Sequence, residues 1–132
     1  PECQTILPKL KNDLLDVVLA CVNQKLDSLD LEWYDDKSLC IVLCSKGYPD
    51  KYEKNVEIKN VNQIQNTKND FLFHAGTKIE NNKIYAIGGR VLNFVSVSDD
   101  FNIAKDNIIK NLDKLNWTGG FYRKDIGYKV LK

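Results

Sequence analysis

The sequence predicts an α+β fold in which a helical lead is followed by short antiparallel strands crossed by one amphipathic helix. Three observations carry this. Apolar residues recur at three- and four-residue steps early in the chain, and again after residue 100. Between these stretches lie several short, β-branched runs separated by turn residues. The two parts meet near residues 27–36, an acidic stretch that holds Trp33.

Leu10, Leu14, Val17, Val18 and Cys21 fall on one stripe of a helix over about residues 12–25. Asn12 or Asp13 caps it, and Pro8 marks a break after a short helical or irregular lead-in. The continuous run Leu39-Cys40-Ile41-Val42-Leu43 suits a strand buried on both faces, and Ser45 to Tyr52, with Gly47 and Pro49, reads as a loop. Further strands are expected at Phe71–His74, Lys83–Ile87 and Val91–Val97, with Asn81-Asn82 joining the first two as a hairpin turn. Asp99 or Asp100 then caps a helix that turns Phe101, Ala104, Ile108, Leu112 and Leu115 inward and Lys105, Lys110 and Lys114 toward water. The tail from Asn116 to Lys132 reads as loop followed by a short strand.

A chain of 132 residues with 43% hydrophobic and 28% charged residues is expected to build one core and to fold. Nineteen basic against 18 acidic residues leave a net charge of +1, so no whole-molecule field attracts nucleic acid or an anionic membrane. Aromatic and basic residues also fail to interleave along a strand face, as a single-strand binder requires. No apolar run is long enough to cross a bilayer and no secretory leader opens the chain, so a cytoplasmic protein is expected. The chain starts at Pro1 and has no methionine, which points to a fragment, a processed chain or a domain cut from something longer.

Cys3, Cys21, Cys40 and Cys44 form no C-x-x-C pair, and His74 is the single histidine, so a zinc site is not expected. On one strand, Cys40 and Cys44 would share a face roughly 13 Å apart, too far for a disulfide. Reduced, buried thiols are the expectation.

Two glycine turns are the candidate chemistry: His74-Ala75-Gly76-Thr77 leaves one strand, and Gly88-Gly89-Arg90 enters another. Glycine permits close backbone approach, and successive amides in such turns can form an anion-binding nest. Arg90 would add a planar fork that fits two phosphate oxygens, with Lys78 as the next cation. The bland alternative is two tight turns with Arg90 paired to a surface carboxylate. His74 either bonds a substrate hydroxyl or donates to a backbone carbonyl. Glu2, Gln4, Arg123, Lys124 and Asp125 are either surface polar groups or site residues.

Pro1-Glu2-Cys3-Gln4, Leu7-Pro8-Lys9-Leu10 with Asp13-Leu14-Leu15, Gly47-Tyr48-Pro49, His74-Ala75-Gly76-Thr77, Gly88-Gly89-Arg90-Val91-Leu92 and Arg123-Lys124-Asp125-Ile126-Gly127-Tyr128 follow in order along the chain. In that order and spacing they resemble the C-terminal region of phosphoribosylamine-glycine ligases, across essentially the whole chain. The resemblance implies an ATP-grasp ligase of purine synthesis. In such an enzyme ATP phosphorylates the glycine carboxylate, and phosphoribosylamine attacks the acyl phosphate to give glycinamide ribonucleotide, ADP and phosphate. It further implies that residues 1–30 are the helical end of the ATP-grasp unit and 31–132 a small antiparallel barrel-like or sandwich-hybrid domain that closes over the active site.

By the same resemblance, the ligands for ATP and for Mg2+ or Mn2+ lie upstream. This chain alone would then bind no cofactor and be inactive without the N-terminal and ATP-binding parts. Gly76, Thr77, Gly89 and Arg90 would hold the substrate phosphate beside His74, with Glu2 near the glycine or amine end. The alternative is a stand-alone hybrid-motif binding module, but Asn81-Asn82 before Lys83 lacks the flanking pattern of a biotin or lipoyl carrier lysine.

Overall fold

The computed structural model describes residues 1–64 and 66–131. Helix α1 (Glu2–Ile6) and a 3-10 turn (Leu7–Lys9) form the lead-in to α2 (Leu14–Val22). Asp13 is the cap of α2, accepting from the Leu15 N–H at 2.7 Å. Asn12 instead ties down the following segment, donating to the Asp30 carbonyl and accepting from the Glu32 N–H. The helix ends short of residue 25 because Gln24 takes a left-handed φ of 55°, which no continuing helix accommodates.

Among the described residues seven strands follow: β1 (Lys37–Ser45), β2 (Val56–Ile58), β3 (Asp70–His74), β4 (Thr77–Glu80), β5 (Lys83–Ala86), β6 (Arg90–Ser98) and, after α3 (Phe101–Leu112), β7 (Gly120–Phe121). One sheet has the order β3-β6-β1-β7, the other β2-β5-β4, and every pairing is antiparallel. The expected α+β architecture of strands crossed by one long helix is therefore the one observed. Asn81-Asn82, with φ of 50° and 60°, joins β4 to β5 rather than Phe71–His74 to β5. The reason is that β3 stops at His74 and pairs with β6, and the chain reverses through Ala75-Gly76 to start a new strand in the other sheet. The tail is also reordered, its strand at Gly120–Phe121 preceding turns that run toward Leu131.

Alternation along β1 sorts the two faces of the larger sheet. Leu39, Ile41 and Leu43 stand opposite Ser96, Phe94 and Leu92, and with Ala104, Ile108 and Leu112 of α3 they form the core. Helix spacing and strand spacing thus meet on one face, where each fully buried Ile, Leu or Phe contributes about 1.5–3 kcal/mol. Asp100 caps α3, accepting from the Asn102 and Ile103 N–H groups at 2.6 and 3.2 Å. Leu115 lies past the helix end yet still packs against the core.

The opposite face carries Cys40, Val42 and Cys44 of β1, half-buried rather than fully buried, and α1 packs on this side. All four cysteines are free, but Cys3 and Cys21 are exposed, which corrects the expectation of buried thiols. Cys21 is exposed because α2 buries none of its residues: Leu15 is 63% and Val22 73% exposed. Of the apolar stripe read from the sequence, Leu10 and Val17 are half-buried, while Leu14, Val18 and Cys21 are exposed. No helix among the described residues is long and apolar enough to cross a membrane.

Candidate substrate-binding face

Both glycine turns lie at one end of the β4–β5 hairpin and touch. A Cβ on Gly76 would stand 2.7 Å from the Cα of Gly88 and 2.7 Å from the Arg90 carbonyl oxygen. The glycines are therefore required by backbone crossing. The Gly76 N–H donates to the Arg90 carbonyl at 3.0 Å, Thr77 N–H to Ala75, and the amides of Ile87 and Gly88 both to the Gly76 carbonyl. Of the two readings of these turns, nest or tight turn, the Gly76, Thr77, Ile87 and Gly88 amides fit the second, being spent on holding the two turns together. Gly89 is explained by a different neighbour, since a Cβ there would come within 2.2 Å of the Tyr48 ring.

Arg90 is set apart by a break in register. Leu43 pairs with Leu92, but Cys44 pairs with Arg90, so Val91 has no partner of its own across the ladder. An extra residue of this kind kinks the strand and re-aims side chains. Val91 and Leu92 are both fully buried in the core, and Arg90 is exposed on the α1 side, where its charge is felt at Glu2 and at Cys44. Among the described residues no carboxylate lies within 4.0 Å of Arg90. The bland alternative of a surface ion pair is absent there. Lys78 is occupied, 3.0 Å from Glu80 and over the ring of Tyr85.

The Glu2 carboxyl is held below the usual range, first by its own backbone N–H, then by the Pro1 ammonium, and further by Arg90. Burial pushes the thiols of Cys40 and Cys44 up, Arg90 partly opposing this at Cys44. Asn93, 5% exposed, is placed by register with Val42 and Phe73 on the same face as Arg90. Phe71 and Phe73 stack on that face with centroids 5.9 Å apart.

Not every expected site residue converges there. His74 stands opposite Leu92, on the side that α3 covers, and its Nδ1 lies 3.1 Å from the Thr77 hydroxyl. His74 and Thr77 form a polar pair at the sheet end, whereas Arg90 and Glu2 share the other face. Arg123 and Asp125 are an exposed ion pair with each other. Lys83, weighed as a carrier lysine, reaches Glu57 across the strands at 3.4 Å. Ser45, Tyr48 and Asn93 were not singled out from the sequence as site residues; the Gly-Tyr-Pro run in a loop was the available signal for Tyr48, and none marked Asn93.

Two antiparallel sheets, one long crossing helix and an arginine at a bulge, with no carboxylate within 4.0 Å among the described residues, define a small α+β domain. Residues 38–129 match the family model described as phosphoribosylglycinamide synthetase, C domain, and the chain belongs to that family. It is 40% identical over 126 residues to the phosphoribosylamine-glycine ligase of Caldanaerobacter subterraneus subsp. tengcongensis, covering 96% of this chain and 30% of that protein. It is 42% identical over 132 residues to the bifunctional purine biosynthetic protein purD of Dictyostelium discoideum, covering 99% of this chain and 16% of that one. A crystal structure of phosphoribosylamine-glycine ligase from Thermotoga maritima superposes with a TM-score of 0.63 at 25% identity, over 83% of this chain and 27% of that one. The chain thus spans less than a third of the length of these relatives. The resemblance drawn from the sequence motifs holds.

Proposed function

We propose that this chain is the C-terminal part of a cytoplasmic, ATP-dependent ligase that joins glycine to 5-phosphoribosylamine, giving glycinamide ribonucleotide, ADP and phosphate. Its share of the work is to hold the substrate phosphate and to close the active site. The observation that carries this is Arg90, a guanidinium turned out of the sheet by the Val91 bulge, with no carboxylate partner among the described residues, in a chain of this family. A planar fork of donors left unpaired beside a turn suits a phosphate dianion. Glu2 on the same face is suited to the amine or glycine end. Thr77 and His74, paired at the sheet end on the α3 side, stand apart from Arg90 in this reading, and Gly76 and Gly89 allow the close packing that shapes the edge.

In this reading residues 1–30 belong to the ATP-grasp part and 31–132 to the C-terminal domain. The family match beginning at residue 38 and the exposed apolar side chains of α2, Leu15 and Val22 among them, both support that division. The upstream part would then cover Leu15 and Val22. ATP supplies the phosphoryl group that activates the carboxylate, with Mg2+ or Mn2+ balancing its charge. Among the described residues no group of three or more His, Cys, Asp or Glu converges to hold a metal ion, so no step is assigned to this chain's residues through the metal.

The test is steady-state kinetics of the full-length enzyme carrying Arg90→Ala. Loss of a charged hydrogen-bond donor is expected to cost about 1.5–3 kcal/mol, which appears as a KM for phosphoribosylamine raised roughly 10- to 150-fold. An unchanged KM would remove Arg90 from the site.

A further inference from the structure

Ser45 closes β1 with only 2% of its surface exposed. Its amide donates to the Gly89 carbonyl at 2.8 Å and its hydroxyl to the Gly88 carbonyl at 2.7 Å. One residue thus holds two consecutive carbonyls of the turn that leads into Arg90. The chain then curls back on itself, Tyr48 N–H donating to the Ser45 carbonyl at 3.0 Å, and lays the Tyr48 ring against Gly89. From the other side, Gly76 N–H holds the Arg90 carbonyl at 3.0 Å. The backbone on both sides of the Arg90 side chain is therefore gripped, and only the grip on Gly88 is made by a side-chain hydroxyl.

We infer that Ser45, backed by the Tyr48 ring, is a positioning residue for Arg90. It touches no substrate and acts by fixing the turn from which the guanidinium leaves the sheet. A bulge bends its strand and re-aims the side chain beside it, and the hydrogen bonds on the neighbouring peptides fix the backbone from which that side chain leaves. Misplacement of a binding group by about 1 Å is enough to cost large factors in rate or affinity. This inference rests on the reading of Arg90 as the phosphate ligand, and the experiment separates the two.

Full-length enzyme is prepared as wild type, Ser45→Ala, Ser45→Thr, Arg90→Ala and the Ser45→Ala/Arg90→Ala double variant, and KM for each substrate and kcat are measured. The expected result is a KM for phosphoribosylamine raised roughly tenfold by Ser45→Ala, with kcat and the KM values for ATP and glycine near wild type. Ser45→Thr, which keeps a hydroxyl, restores it. Ser45→Ala adds nothing further once Arg90 is gone. If Arg90→Ala leaves the KM unchanged, the reading of the anion site fails and the inference with it. If Arg90→Ala raises the KM and Ser45→Ala does not, the inference alone is overturned. It is equally overturned if Ser45→Ala raises all three KM values together, the mark of a general support of the fold. Should Ser45→Ala not fold, Tyr48→Leu, which takes the ring off Gly89, carries the same expectation and the same refutation.

Discussion

Gly76 and Gly88 cross backbone to backbone, so closely that a side chain on Gly76 would collide with the Cα of its partner at 2.7 Å. The crossing ties the hairpin of the smaller sheet to the turn that launches β6 in the larger one. It also explains why the two glycine turns hold each other instead of presenting free amides.

Replacement of Gly76 by Ala forces the two turns apart, and neither obstacle is a flexible side chain. Overpacking of this kind is expected to destabilise the fold by about 1–3 kcal/mol, read as a lower denaturation midpoint with an unchanged slope. A midpoint equal to wild type would show that the crossing is looser than described.

The apolar face of α2 supplies a test of the division near residue 30. In the 132-residue chain, Leu15→Ser and Val22→Ser alter side chains that are already 63% and 73% exposed, so stability should change by no more than about 0.5 kcal/mol. In the longer protein the same changes should each cost about 1.5–3 kcal/mol, because the upstream part would bury these side chains. Equal, small effects in both settings would contradict burial of Leu15 and Val22 by the upstream part.

The cap of α3 gives a pH signature. Amides of Asn102 and Ile103 hold the Asp100 carboxyl below its ordinary value of about 3.9. A depressed folded value means that the contribution to stability is complete above the unfolded value and is lost as pH falls through the folded one. Asp100→Ala should therefore lower the melting temperature by a few degrees at neutral pH, and the gap to wild type should begin to narrow near about pH 3.9 and be lost as pH falls through the lower folded value. A gap that stays constant into acid would mean that the charge of the cap carries none of the effect.

Much of this fold was legible in local pattern. The stripe from Phe101 follows from helical spacing and is found, ending at Leu112 short of Leu115, and of the two aspartates offered as its cap, Asp99 or Asp100, it is Asp100 that serves. The runs around Ile41 and Val95 were likewise visible as β-branched strands. What escaped was non-local. Val56–Ile58 and Thr77–Glu80 are strands of three and four residues whose existence depends on pairing with β5, and neither carries enough periodicity to announce itself. The Asn81-Asn82 turn was identified, but its partners were not, because a hairpin motif does not say which sheet receives the preceding strand. At the site, Arg90 was conspicuous as a residue type, while the bulge at Val91 that sends it to the Glu2 face arises from register with β1 and has no local signal. The same holds for Ser45, a small polar residue at a strand end whose role comes from carbonyls 43 and 44 positions further along the chain.

The proposed role of Arg90 as a phosphate ligand is open to direct measurement. Calorimetric titration of ribose 5-phosphate into full-length enzyme, wild type against Arg90→Ala and Arg90→Lys, tests it most directly. The account expects saturable binding to wild type, loss of at least about tenfold in affinity with Ala, and partial retention with Lys, which keeps the charge without the fork. Equal affinity for all three proteins would contradict it.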